Sequence, residues 1–159
     1  MKLSTGQIEE LKVIIAGAIH RLYHQDSELM EHAVNERSVV FRFGLYLNEL
    51  LPSSSFASYN LDCEYNRNMG KPKRTKNFPA GVIPDVLLHR RKSNEENILV
   101  LEFKGFWNKE DRENDRKKIL DFTSQAEDNH YKYGLGGVVE LEQGNYKVDY
   151  YFDYKPQDI

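Results

Sequence analysis

The sequence predicts an α+β fold in which a mixed β-sheet of about five strands is flanked by helices, in the order α-α-β-β-β-α-β-β. Three observations lead there. The N-terminal third carries apolar residues at helical spacing, and from residue 58 onward apolar residues alternate or run in short blocks bounded by polar turns. A charged segment with its own helical stripe then separates the third strand from the fourth. Hairpin turns make neighbouring strands antiparallel, whereas a helical crossover within one sheet makes them parallel, so both kinds of pairing are expected.

Ser4 and Gln7 have the spacing of a capping box, and Ile8, Leu11, Ile15, Ala18 and Leu22 follow along one face, which predicts a helix over 4–23. A second helix is predicted over 28–51, stopping before Pro52 and the serines that follow it. Residues 58–66 alternate Tyr59, Leu61, Cys63 and Tyr65 against Asn60, Asp62, Glu64 and Asn66, the pattern of a strand with one buried face. Two further strands, GVIPDVLLHR (81–90) and NILVLEFKG (97–105), are separated by a polar turn and should pair antiparallel. Residues 110–128 place Ile119, Phe122 and Ala126 at helical spacing on an otherwise charged helix. A last hairpin joins YGLGGVVEL (133–141) to a strand that alternates Tyr146, Val148, Tyr150, Phe152 and Tyr154. The glycines at 134–137 fit neither a phosphate loop nor a dinucleotide fingerprint, and in a strand they mark close approach of neighbouring backbone.

A chain of 159 residues with 40% hydrophobic and 30% charged residues has the size and composition of one folded domain, taken here as 1–159. No apolar run is long enough to span a bilayer, and the start MKLSTGQIEE lacks the apolar core of a secretory signal, so a cytoplasmic protein is expected. The single cysteine, Cys63, has no partner for an intramolecular disulfide and reads as a small buried hydrophobe. His20 and His24 stand four apart on the first helix, but Arg21 occupies the position where a zinc-protease motif has glutamate, so they read as surface residues.

Charge is unevenly spread. Residues 67–76 hold Arg67, Lys71, Lys73, Arg74 and Lys76 with no acid, so this segment is +5 and, for a net charge of -3, the rest carries -8. Such a segment suits contact with phosphates, with a solvated basic loop as the ordinary alternative.

The central hairpin concentrates the chemistry. Centring its turn between Ser93 and Asn94 pairs Leu87 with Val100, Val86 with Leu101 and Leu88 with Leu99, all apolar. The same register sets Asp85 opposite Glu102, with Cβ atoms roughly 4.5 to 5.5 Å apart. Facing carboxylates repel unless a positive group lies between them, and Mg²⁺ commonly binds through only one or two carboxylates, completing its shell with water and phosphate oxygens. Lys104, two residues past Glu102, shares its face. Glu36, four residues before Val40, lies about 40° from the apolar stripe of the second helix and so points toward the core.

Pro84-Asp85 followed by Glu102-Phe103-Lys104 on paired strands, with a helical Glu36 before them and a helix and strand after, resembles the PD-(D/E)xK nuclease superfamily. The resemblance covers about residues 28–142 and implies a restriction-endonuclease-like core. It implies that Asp85 and Glu102 bind one or two divalent metals, Mg²⁺ or Mn²⁺, with Glu36 as an auxiliary ligand, and that Lys104 orients or deprotonates the attacking water. The implied substrate is nucleic acid, DNA before RNA, held by Arg67, Lys71, Lys73, Arg74 and Lys76, and a homodimer across a duplex would suit so small a chain. Gln125 and Tyr131 resemble the motif that follows the site in the RecB-like branch, but their spacing is longer and it is not carried over. Plainer readings stand beside these. Glu102 and Lys104 suit an ion pair at a strand end, Glu36 a pair with Arg37 or Arg42, and Glu64 either the site or a solvated face. The rival functions are a catalytically silent nuclease-fold module that binds nucleic acid or a protein, and an interaction protein whose acids meet by coincidence.

Overall fold

A computed structural model describes residues 1–156. Its first helix, α1 (Thr5–Gln25), opens on the expected reciprocal cap, in which the Ser4 hydroxyl accepts the Gln7 N–H and the Gln7 side chain accepts the Ser4 N–H. The apolar stripe from Ile8 to Leu22 is buried.

The helix expected over 28–51 is instead two, α2 (Ser27–Glu31) and α3 (Glu36–Leu50). Two local features break it. Ala33 takes a positive φ of 48°, which no helix accommodates, and the Asn35 side chain accepts the Arg37 N–H, making that residue the cap of a new helix. A 3₁₀ turn containing Pro52 follows α3.

Seven strands follow: β1 (Asn60–Cys63), β2 (Arg67–Asn68), β3 (Lys71–Pro72), β4 (Val86–His89), β5 (Asn97–Gly105), β6 (Leu135–Leu141) and β7 (Tyr146–Tyr151). Five form one sheet in the order β1-β4-β5-β6-β7. Its neighbours pair antiparallel except β5 and β6, which are parallel and are joined through α4 (Arg112–Thr123). The mixed five-stranded sheet is therefore as expected. The basic segment contains its own small hairpin, β2 with β3, turning through Met69 and Gly70 at positive φ.

Several elements are shorter than the sequence pattern suggests. β4 begins only after Pro84-Asp85, since proline has no N–H to give a ladder. α4 is capped by Asp111 and ends at Thr123, leaving Ala126 beyond it. β1 is an edge strand, and there Cys63 is exposed rather than buried, with its sulfur beside Gly44 of α3. Burial of that thiol's immediate surroundings still pushes its pKa up to about 11.

Between β4 and β5 the structure pairs Val86 with Leu101, Leu87 with Val100 and Leu88 with Leu99, the register expected, before a bulge brings His89 opposite Asn97. Alternation along these strands serves two cores. Val86, Leu88, Leu99, Leu101 and Phe103 pack with α1 and α3, whereas Leu87 and Val100 pack with Ile119 and Phe122 of α4. Gly136 lets α4 settle onto the sheet, because a Cβ there would lie 2.5 Å from the Ile119 side chain and 2.7 Å from that of Thr123. At Gly136 the nearest approach is thus made by helix side chains, whereas Gly134 meets Leu3 and the Met1 carbonyl and Gly137 meets the Leu101 side chain. Among the described residues no helix is long and apolar enough to cross a membrane.

Candidate active site

The alternation that sends Leu101 and Phe103 toward α1 and α3 turns Glu102 and Lys104 toward α4. Asp85 arrives from the turn just before β4, one residue past the Val86–Leu101 pair, and its carboxylate accepts the Phe103 N–H at 2.7 Å. Asp85 and Glu102 are thereby held as neighbours by the register of two strands.

Glu102 is only 1% exposed. Its Oε2 accepts a hydrogen bond from the Lys118 ammonium at 2.8 Å, and its Oε1, equally buried, has no hydrogen-bond partner among the described residues. Lys118 also lies 3.4 Å from Asp115 Oδ1, and Lys104, 4% exposed, lies 3.0 Å from Asp115 Oδ2 and 3.8 Å from Glu110. Asp85, Glu102 and Asp115 thus face Lys104 and Lys118 in a largely buried cluster, with Glu110 at its exposed rim.

The electrostatics follow from that arrangement. Burial lifts the Asp85 carboxyl to about 6; the Phe103 N–H and Lys118 oppose the rise, while Asp115 and Glu36 add to it. Glu102 is pushed well above the ordinary carboxylate range, first by burial and next by the charge of Asp85. Burial works against the charged form of Lys118 too, but Glu102, Asp115 and Asp85 outweigh it and hold that ammonium above its usual pKa.

Among the expected site residues, Asp85 and Glu102 meet as expected. Lys104 shares their face, but it pairs with Asp115 rather than Glu102, whose ammonium partner is Lys118 from α4. Glu36 braces the turn after β5: its Oε1 accepts the Gly105 N–H at 2.8 Å, and both of its oxygens accept from the Asn108 side chain. Neither suggested base pairs with it, since Arg37 binds Glu64 and Arg42 binds Asp26. Glu64 is exposed and occupied by that surface pair.

Sequence reasoning missed Asp115 and Lys118. The signal was present, because Asp115 stands four residues before Ile119 and seven before Phe122, which makes it an acid on the buried stripe of α4.

In the basic segment Arg67, Lys71, Arg74 and Lys76 are exposed, and among the described residues none of them forms an ion pair. Lys73 is placed differently from the other four. It is 3% exposed, donates its ammonium hydrogen bond to the Arg67 carbonyl, and stands over the rings of Tyr65 and Tyr131 at 4.8 and 5.7 Å. Burial draws its pKa down to about 8. A side chain so placed anchors the hairpin from beneath and leaves its exposed basic surface to the other four.

Among the described residues no group of three or more histidine, cysteine, aspartate or glutamate side chains is gathered as a ready cage for a metal ion. A hard cation that keeps most of its water needs fewer protein ligands. For such an ion the Asp85–Glu102 pair, with a buried carboxylate oxygen left without a partner, is a fitting donor set. No family model, no curated protein and no solved structure matches the chain.

Proposed function

We propose that this chain is a divalent-metal-dependent nuclease with a restriction-endonuclease-like core of the PD-(D/E)xK type, hydrolysing phosphodiester bonds in nucleic acid, with DNA as the first substrate to test. The observation that carries the reading is the buried Glu102 carboxylate. It has an unpartnered oxygen beside Asp85, on the face of the sheet from which Lys104 emerges. A structural ion pair has no use for a second buried acid, which adds repulsion; a cation site does. The order of Asp85, then Glu102 and Lys104 on paired strands, then a helix leading to a parallel strand, supports the assignment of type.

In this reading Asp85 and Glu102 hold Mg²⁺ or Mn²⁺. When bound, the ion neutralises charge on the phosphate and makes a coordinated water more acidic. The chain's own groups do the remainder. Phe103 fixes the Asp85 carboxylate through its N–H, and Asp115 holds the Lys104 ammonium beside the acids as an ion pair at 3.0 Å, where Lys104 Nζ would donate a hydrogen bond to the attacking water or to a phosphate oxygen. Glu36 holds the start of the turn that leads from β5 to α4, the two elements that supply Glu102, Lys104, Asp115 and Lys118. Arg67, Lys71, Arg74 and Lys76 meet phosphates along the strand.

The test is incubation with labelled single-stranded and duplex DNA and with RNA, each with Mg²⁺, Mn²⁺ or EDTA. Cleavage is expected with either metal and not in EDTA. Asp85→Asn, Glu102→Gln and Lys104→Ala should each lose roughly 100-fold or more in turnover while still binding substrate. Metal-independent binding with no cleavage under any condition would replace this reading with that of a silent nucleic-acid-binding module.

A further inference from the structure

Lys118 makes the closest ion pair in the acidic cluster, yet it has no part in the mechanism above. Its ammonium lies 2.8 Å from Glu102 Oε2 and 3.4 Å from Asp115 Oδ1, filling the space on the α4 side of Glu102. The two lysines of the cluster differ in freedom. Lys104 rises from the middle layer of the sheet, 4% exposed, and is hemmed in by Asp115 and Glu110. Lys118 projects from a helix with its side chain 22% exposed, so its long stem has a route to water.

We propose that Lys118 is a resident counter-ion, which occupies Glu102 in the metal-free protein and withdraws to the surface when the acids take a divalent cation. This rests on the reading of Asp85 and Glu102 as a cation site and adds to it the residue that regulates entry. Charge balance carries the argument. Glu110 is 83% exposed and its charge is screened by water, so the buried balance is set by Asp85, Glu102 and Asp115 facing Lys104 and Lys118, and when ionised it has one negative charge in excess. A dication added to the intact cluster would leave it positive, and with Lys118 gone it would be neutral. An ammonium and a dication on one carboxylate also repel each other at short range, where little water intervenes. The second, orphaned oxygen of Glu102 gives an incoming ion a first foothold before Lys118 departs.

Two measurements test this without using catalysis. In the wild-type protein, reductive methylation of lysines read by mass spectrometry should label Lys118 slowly in EDTA and faster with Mg²⁺, while Lys104 stays protected in both. Calorimetric titration with Mn²⁺ should show that Lys118→Met, which keeps the apolar stem and removes the charge, binds several-fold tighter than wild type, and that adding Glu102→Gln abolishes the gain. Glu102-dependent Mn²⁺ binding that is unchanged or weaker in Lys118→Met, with Lys118 labelling indifferent to metal, would overturn the counter-ion role and leave the metal site standing. If neither protein binds Mn²⁺ in a Glu102-dependent way, both the counter-ion role and the cation site fall.

Discussion

Replacing Asp85 by asparagine in metal-free protein should make the fold more stable. A carboxyl held near 6 by burial, against 3.8 when free, costs the ionised folded state about 3 kcal/mol at neutral pH. Asparagine keeps the shape and an acceptor oxygen for the Phe103 N–H, and the shift to about 6 is already net of that hydrogen bond's preference for the charged form. The gain is therefore about 3 kcal/mol, and in a chain of this size that raises Tm by roughly 6 to 12 °C. Glu102 gains as well, since the charge of Asp85 is second only to burial in raising it.

The sign of the pH dependence follows from the same shift. Between 3.8 and about 6 the folded protein binds the Asp85 proton and the unfolded chain has released it, so this group's contribution to stability falls as pH rises through that window and is level above it. The advantage of Asp85→Asn should therefore be absent at the acid end, grow across the window, and reach its full size near neutrality. Thermal melts of both proteins in EDTA across that range measure it. Millimolar Mg²⁺ or Mn²⁺ should then raise the wild-type Tm by mass action, by about 2.7 kcal/mol at a hundredfold excess over Kd, and barely move the mutant. A mutant that melts below wild type in EDTA, beside a wild type indifferent to both metals, would show that Asp85 is a needed ion-pair partner and end the cation-site reading.

Neutralising Arg67, Arg74 and Lys76 together should weaken nucleic-acid binding on all sequences alike and lower the slope of log affinity against log salt by about 2 to 3, since each lost phosphate contact releases fewer counterions. An unchanged slope would return this segment to an ordinary solvated surface. For Lys73, whose folded pKa of about 8 lies below the ordinary 10.5, the unfolded chain holds the extra proton between those values, so stability should rise with pH across that window. Urea melts at both ends should show the rise in wild type and a smaller one in Lys73→Met; equal slopes would mean that Lys73 is solvated. Glu36→Ala removes the acceptor for Gly105 and Asn108 and should lower stability by about 1 to 2 kcal/mol in urea melts while the Mg²⁺-induced rise in Tm persists. Loss of that rise would make Glu36 a metal ligand after all.

What the sequence disclosed and what it hid divide along a physical line. The register of β4 on β5 was legible because any other pairing sets apolar Leu87 or Val100 against a polar residue or turns it to the wrong face, and once that register holds, Asp85 can only sit beside Glu102. Alternation likewise placed Lys104 with Glu102 from chain geometry alone. Beyond the strands such arguments lose their grip. One helix was expected over 28–51, and the break before α3 depends on one asparagine cap and one residue at positive φ, each a small local preference that spacing does not reveal. Charge counts gave Lys73 the same standing as Arg74, yet depth separates them, and depth comes from where the aromatic rings of Tyr65 and Tyr131 meet in space. The partner of Glu102 shows the limit most clearly. Lys104 is nearer in sequence and on the same strand face, but neighbouring side chains of one face run parallel, whereas a lysine descending from α4 meets the carboxylate end on. The choice between two ammoniums is thus made by how α4 is seated on the sheet, and that seating is permitted by Gly136, a residue with no side chain, where a Cβ would collide with Ile119 and Thr123.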